Sequence, residues 1–240
     1  MVSLKGRTVA IIGGTSGIGL ATARLLPERG AQVIVGGRDE RHLEEARAAL
    51  ADGARGIPVD ATDRASLRSF FQDAGPIDDL VVTVTRRGGA GPAAELAERD
   101  LGNAFAGKPI AHLQAVASAL PTLDERGSVT LVSAGSAQSA LPGTALLAAV
   151  NGAIEAAVPP LARELAPRRV NAVSPGVIKT GWWDALPGPE REATFAQFSE
   201  QAPVGRIGDA EDVAHAICGL IENDYIDGTV LSCDGGLRLT

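Results

Sequence analysis

TVAIIGGTSGIG, residues 8–19, decides the fold. TVAIIGG (8–14) is an apolar, β-branched run of strand type, and from Gly17 the pattern turns helical until Gly30, a glycine suited to closing a helix. Between them GGTSGIG (13–19) is a glycine-rich turn. In isolation such a turn says little, but between a strand and a helix it has a definite chemistry. Gly13 permits the tight bend, Gly17 lets the backbone approach a pyrophosphate, and Gly19 allows close packing of helix on strand. The helix N-terminus supplies the anion site.

Working outward, apolar runs alternate with amphipathic segments. The strand-like runs are QVIVGG (32–37), RGIPV (55–59), DLVVTVT (79–85), SVTLVS (128–133), RVNAVSP (169–175) and GTVLSCDGG (228–236). Helical patterns occupy 40–50, 63–73, 100–120, 144–165 and 209–222. This rhythm predicts βαβ units with right-handed crossovers. The expected fold class is α/β, a Rossmann-type doubly wound parallel sheet flanked by helices, formed as one domain across residues 1–240. The one long irregular connection, about 176–208, is rich in Gly, Pro and Trp and is expected to be a substrate loop.

Composition narrows the function. Hydrophobic residues make up 45% and aromatics only 3%, as helices packed closely on a parallel sheet require. A formal net charge of −7 disfavours a nucleic-acid partner. Cys218 and Cys233 form no disulfide framework, and His42, His112 and His215 lack neighbours at ligand spacing, so no metal site is expected. The N-terminus lacks the apolar stretch of a signal peptide, and the uncharged run 127–154 is broken by Gly, Pro, Ser and Asn. The expectation is a soluble cytoplasmic protein without a membrane partner.

The turn, Asp60 after the third strand, RVNAVSPG (169–176), Thr180 and a terminal DGG (234–236) together resemble the short-chain dehydrogenase/reductase family along the whole length. Gly13 stands where the family usually has Thr. The resemblance implies cofactor contacts at Gly13, Thr15, Ser16, Gly17, Ile18, Gly19, Asp60, Ala61, Thr83, Thr85, Pro175, Gly176, Ile178 and Thr180. The second strand ends in Gly36, Gly37 and Arg38, with no carboxylate at the position that would accept from a ribose 2′-hydroxyl. Arg38 either grips a 2′-phosphate through two charge-assisted bonds or is a solvated charge at a helix entry. The first reading predicts NADP(H).

Ketone-reducing members of that family resemble one another in an Asn, a Ser and a Tyr-x-x-x-Lys pair. The Tyr donates a proton, the Ser positions the carbonyl and the Lys binds ribose. Anchored on Pro142-Gly143, the Tyr position is Leu147, the Lys position Asn151 and the Ser position Ala134, with Ser133 beside it; counted from Pro121, the Asn position is Lys108. All four differ. TALLAAVNGAIEAAV (144–158) therefore resembles the family's active-site helix without its acid, and nothing in it ionises before Glu155.

Lys108 and Asn151 read as an exchanged pair that keeps one cation and one amide in the pocket, or Lys108 is a solvated residue near Pro109. His112, on the same helix face, reads as a core or interface histidine, or as a base. Lys108, Ser133 and Asn151 are the candidate catalytic residues. Ala134 and Leu147 would face the substrate. Trp182 and Trp183 either wall the pocket for a bulky or aromatic small molecule or anchor the loop. The expected function is an NADP(H)-dependent reductase acting on an imine, iminium or other preactivated substrate. The alternatives are a non-redox NADP(H)-binding pseudoenzyme or sensor, and a cyclase or isomerase. The helices at 100–120 and 144–165 are unusually apolar for surface helices, and the resemblance implies that they pair across a two-fold axis in a homodimer or homotetramer.

Overall fold

A computed structural model describes residues 2–50, 53–86 and 88–240, without the side chains of residues 98 and 99. The chain runs β1 (Thr8–Ile12), α1 (Gly17–Glu28), β2 (Gln32–Gly37), α2 (Glu40–Ala49), β3 (Arg55–Pro58), α3 (Arg64–Ala74) and β4 (Ile77–Val82). It continues through α4 (Glu98–Phe105), a π turn (Ala106–Ile110), α5 (Ala111–Ala119), β5 (Leu123–Val132), α6 (Ala145–Leu165) and β6 (Arg169–Pro175). β7 (Ile178–Lys179), α7 (Gly188–Gln201), β8 (Gly208–Asp209), α8 (Ala210–Glu222) and β9 (Val230–Cys233) complete it.

Seven strands form one parallel sheet in the order β3-β2-β1-β4-β5-β6-β9, the doubly wound arrangement expected. Strand alternation divides the core. Ala10 and Ile12 point to the face covered by α3, α5 and α6, where they meet Leu67, Phe70, Ala115 and Ile154. Val9 and Ile11 point to the face of α1, α2 and α8, beside Leu26, Leu43 and Ile217. Small residues on α5 and α6 let those helices approach the sheet closely.

Two expectations need correction. The segment 100–120 is not one regular helix, because Pro109 has no N–H to donate and the turn around it widens to a π turn. The segment 176–208 is not irregular either. It holds a two-stranded β7–β8 pair and the 14-residue helix α7, whose opening Gly188-Pro189 looks like loop punctuation and whose one buried residue is Phe195.

Polar groups pin the sheet's lower edge. Asp79 is fully buried in β4 and accepts from Arg7 Nε at 2.9 Å, Arg7 Nη2 at 3.0 Å, and the Ser128 amide and hydroxyl at 3.1 and 2.6 Å. Removing one partner of such a pair strands a desolvated charge. Arg7→Met should cost about 3 kcal/mol in denaturant unfolding, and Arg7→Met/Asp79→Asn should recover part of it. A double variant no more stable than the single would disprove the pairing.

Candidate active site

Every candidate cofactor residue lies at or just beyond the C-terminal end of a strand or at the start of α1, because the strands are parallel and the first order reversal falls between β1 and β4. The turn after β1 leaves no room for side chains. A Cβ on Gly13, whose φ is +93°, would stand 2.6 Å from Thr83 Oγ1, and one on Gly19 would collide with the Gly13 carbonyl. Thr83 donates its hydroxyl to the Gly13 carbonyl at 3.0 Å, so the end of β4 holds the turn in shape. α1 begins at Gly17 with no side-chain cap from Ser16 and no acidic residue in its first turn. Its first amides are therefore open to an anion.

Thr180 sits above this turn, its methyl 3.4 Å from where a Gly17 Cβ would be. Its hydroxyl accepts from the Trp182 amide at 3.4 Å and so joins the segment after β6 to the phosphate turn. At the end of β2, Gly37 is required by Thr15, whose methyl would lie 2.6 Å from a Cβ there. Arg38 is exposed beside it. Asp60 accepts from the Thr62 amide and hydroxyl at 2.9 and 2.7 Å. Partial burial would raise the Asp60 carboxyl, but the Thr62 bonds and the Arg38 charge outweigh it and hold the group low. Ala61 is buried next to it.

A cavity of about 790 Å³ opens beside the turn. Ile18, Thr83, Thr85, Pro175, Gly176, Ile178 and Thr180 line its cofactor side, and Arg38, Asp60 and Ala61 lie outside it at the ends of β2 and β3. Lys108, Ala134, Leu147 and Asn151, the four positions assigned from the resemblance, all line it, as does Ser133. Trp182 and Trp183 line it too, packed edge to face with ring centroids 4.7 Å apart. Trp183 is also the anchor, donating Nε1–H to the Ile178 carbonyl at 3.0 Å and stacking edge-on against Phe195.

Lys108 is not a solvated helix-start charge. Only 8% exposed, it donates Nζ–H to the Ser133 carbonyl at 3.1 Å, its one hydrogen bond among the described residues. Burial pushes the ammonium down to about 8, against the opposing pull of Glu155. His112 is fully buried and sits 2.8 Å from the Lys108 carbonyl through Nδ1. Burial first, then the Lys108 charge, push it down to about 3, so it is a neutral core residue.

Asn151 directs its amide nitrogen to Ser136 Oγ at 3.0 Å and the Leu147 carbonyl at 2.8 Å, and its buried Oδ1 has no partner among the described residues. Ser133 does not offer its hydroxyl to the cavity: Oγ–H donates to Glu155 Oε1 at 2.7 Å. Sequence reasoning passed over Glu155 and Ser174, whose hydroxyl reaches the same oxygen at 2.7 Å. The signal was there, the first charge of an otherwise apolar stretch of α6.

Known proteins share this frame. The family model described as enoyl-(acyl carrier protein) reductase matches residues 13–238. The chain is 33% identical to the short-chain dehydrogenase/reductase ATR9 of Stachybotrys chlorohalonatus, with both chains fully covered. It is 34% identical to a cis-4-hydroxycyclohexanecarboxylate dehydrogenase of Sinomonas cyclohexanicum over 96% of each chain. Among solved structures, the MalC reductase/Diels-Alderase of Malbranchea aurantiaca superposes with a TM-score of 0.91 at 28% identity, covering 99% of this chain and 97% of that one. A small-chain dehydrogenase in complex with NADPH gives 0.84 at 30% identity, covering 98% and 100%. With strand order, phosphate turn and full-length relatives in agreement, the chain belongs to the short-chain dehydrogenase/reductase family.

Proposed function

We propose that the chain is an NADP(H)-dependent oxidoreductase that reduces a bulky C=N or C=O substrate, with Lys108 taking over proton supply from the family's missing tyrosine. The observation that carries this reading is Lys108 itself, a buried ammonium in the cavity wall with one partner among the described residues and donors to spare. The residues fit the cofactor on two counts: the turn at Gly13 and Gly19, packed too tightly for side chains and opening onto an α1 start with no side-chain cap, and the buried Oδ1 of Asn151, unpartnered among the described residues, an acceptor suited to a ribose hydroxyl. NADPH, when bound, supplies a hydride. The protein's share is to orient substrate against the Trp182–Trp183 wall and to hold a proton at Lys108 Nζ. Ser133 supports Lys108 through its carbonyl instead of acting through its hydroxyl.

A substrate that arrives uncharged suits this pocket better than a preformed iminium, whose charge would meet Lys108 at low dielectric. A neutral imine or carbonyl takes the proton from Nζ as the hydride arrives, leaving a neutral amine behind. The second reading, a cyclase, is favoured by the likeness to MalC, named a reductase/Diels-Alderase, and by an apolar wall of Leu146, Leu147, Val150 and the tryptophans.

Arg38, exposed at the end of β2, carries the choice of NADP(H). Arg38→Ala should weaken NADPH by about 1.5–3 kcal/mol and leave NADH unaffected, read by fluorescence titration. Equal losses for both would refute it. Following NADPH oxidation with a cyclic imine and a bulky ketone side by side tests the reaction. Binding without oxidation of NADPH by either would favour a non-redox role.

For assembly, we infer pairing through α5 and α6. Leu101, Ile110 and Leu113 are 38–45% exposed on α4, the π turn and α5. α6 is apolar enough to span a membrane by length and composition, yet carries exposed Ala145, Ala149 and Ala156. Small residues on an uncovered face let two copies approach about a two-fold axis, in keeping with a cytoplasmic homodimer or homotetramer. Light scattering should give a multiple of 24.5 kDa that Ala149→Arg dissociates. A wild-type monomer at micromolar concentration would rule the interface out.

A further inference from the structure

Glu155 is the first ionisable group on α6 and faces inward, toward the sheet. Its Oε1 accepts the hydroxyls of Ser133 and Ser174, both at 2.7 Å, and its Oε2 accepts the Gln138 amide at 3.0 Å. Among the described residues, these two hydroxyls and one amide N–H are the hydrogen-bond partners of the Glu155 carboxylate. Ser133 links it to the cavity, because the same residue's carbonyl accepts from Lys108 Nζ at 3.1 Å.

The surroundings leave this carboxylate as the counter-charge. On Lys108's own helix the neighbour is His112, neutral as shown above. α6 adds the uncharged Asn151, and β5 adds a carbonyl. Arg86, Asp100 and Arg238 line the cavity on exposed positions, and Asp234, which lines it too, is paired with Arg238 at 2.8 Å. Burial works against the Lys108 ammonium, and Glu155 is the charge that opposes it. A glutamine would bridge the two serines and Gln138 equally well if Glu155 merely fastened α6 to β5 and β6. What it could not do is favour a cation next to it.

We propose that Glu155 is a positioning residue that keeps Lys108 charged in the cavity and, through Ser133, fixes where its ammonium points. This rests on the reading of Lys108 as proton source. As pH rises through the Lys108 titration the proton is lost, so turnover falls on the alkaline side, and removing Glu155 moves that limb to lower pH.

The test uses the intact protein without cofactor, labelled at lysine ¹³Cε. Lys5, Lys108 and Lys179 are its lysines, assigned by Lys5→Arg and Lys179→Arg. In Glu155→Gln, Lys108 should titrate about one pH unit lower or more, the size of effect a nearby opposite charge exerts, and Glu155→Asp should return most of the shift. An unchanged Lys108 titration in folded Glu155→Gln overturns the proposal. Should the Gln variant not fold, Glu155→Asp still has to move Lys108 slightly downward, and no movement is equally fatal. The alkaline limb of the pH–rate profile is measured in parallel. If Lys108 shifts while that limb stays put, Glu155 keeps its role and Lys108 loses its part in the reaction.

Discussion

The close approach of α1 to β1 is the constraint on which the rest of the structure depends. It exists because Gly13 and Gly19 have no side chains to separate the Gly13 carbonyl from the first turn of the helix. From it follow the open amides at the start of α1, the seat for Thr83 at the end of β4, and the perch for Thr180 above Gly17. Because the sheet is parallel, the same end of every strand delivers its loop to this point. Thr180 then hands the geometry on to Trp182 and Trp183, so the wall of the substrate cavity is referenced to the phosphate turn.

Against that economical frame, Lys108 is costly. A depression from 10.5 to about 8 corresponds to about 3 kcal/mol working against the charged form in the folded protein. The penalty is fully present below pH 8 and fades toward 10.5, since the unfolded chain holds the proton more tightly. An apolar side chain would fill the space without that cost. Stability is commonly surrendered where a site needs a strained or desolvated group. Glu155, Ser133 and Ser174 form the support around it, and Asn151 adds a buried acceptor that is unpartnered among the described residues.

The sequence revealed the parts whose chemistry lies in the backbone. The glycine turn, the alternation of strands and helices and the bare end of β2 all depend on residues being small or apolar at fixed spacing, which periodicity displays. The direction of side chains was harder. Lys108 looked equally like a solvated charge, because its burial in the π turn around Pro109 leaves no periodic signal in the sequence. Ser133 looked like a pocket hydroxyl until α6 placed Glu155 behind it. Thr83 could not be read as the lock on the phosphate turn, since its partner is 70 residues away in sequence. α7 stayed hidden because only Phe195 along it is buried, too little for a helical stripe.

The central claim is that the pocket is adapted, not emptied, and Lys108→Met tests it most directly when stability and turnover are measured on the same preparation at pH 7. The account predicts opposite movements: the variant gains about 1–3 kcal/mol against denaturant, by losing the buried charge, while NADPH-dependent turnover falls by a factor of about 10² or more. A variant that is stabilised and turns over as fast as the parent would contradict it and make the lysine a relic.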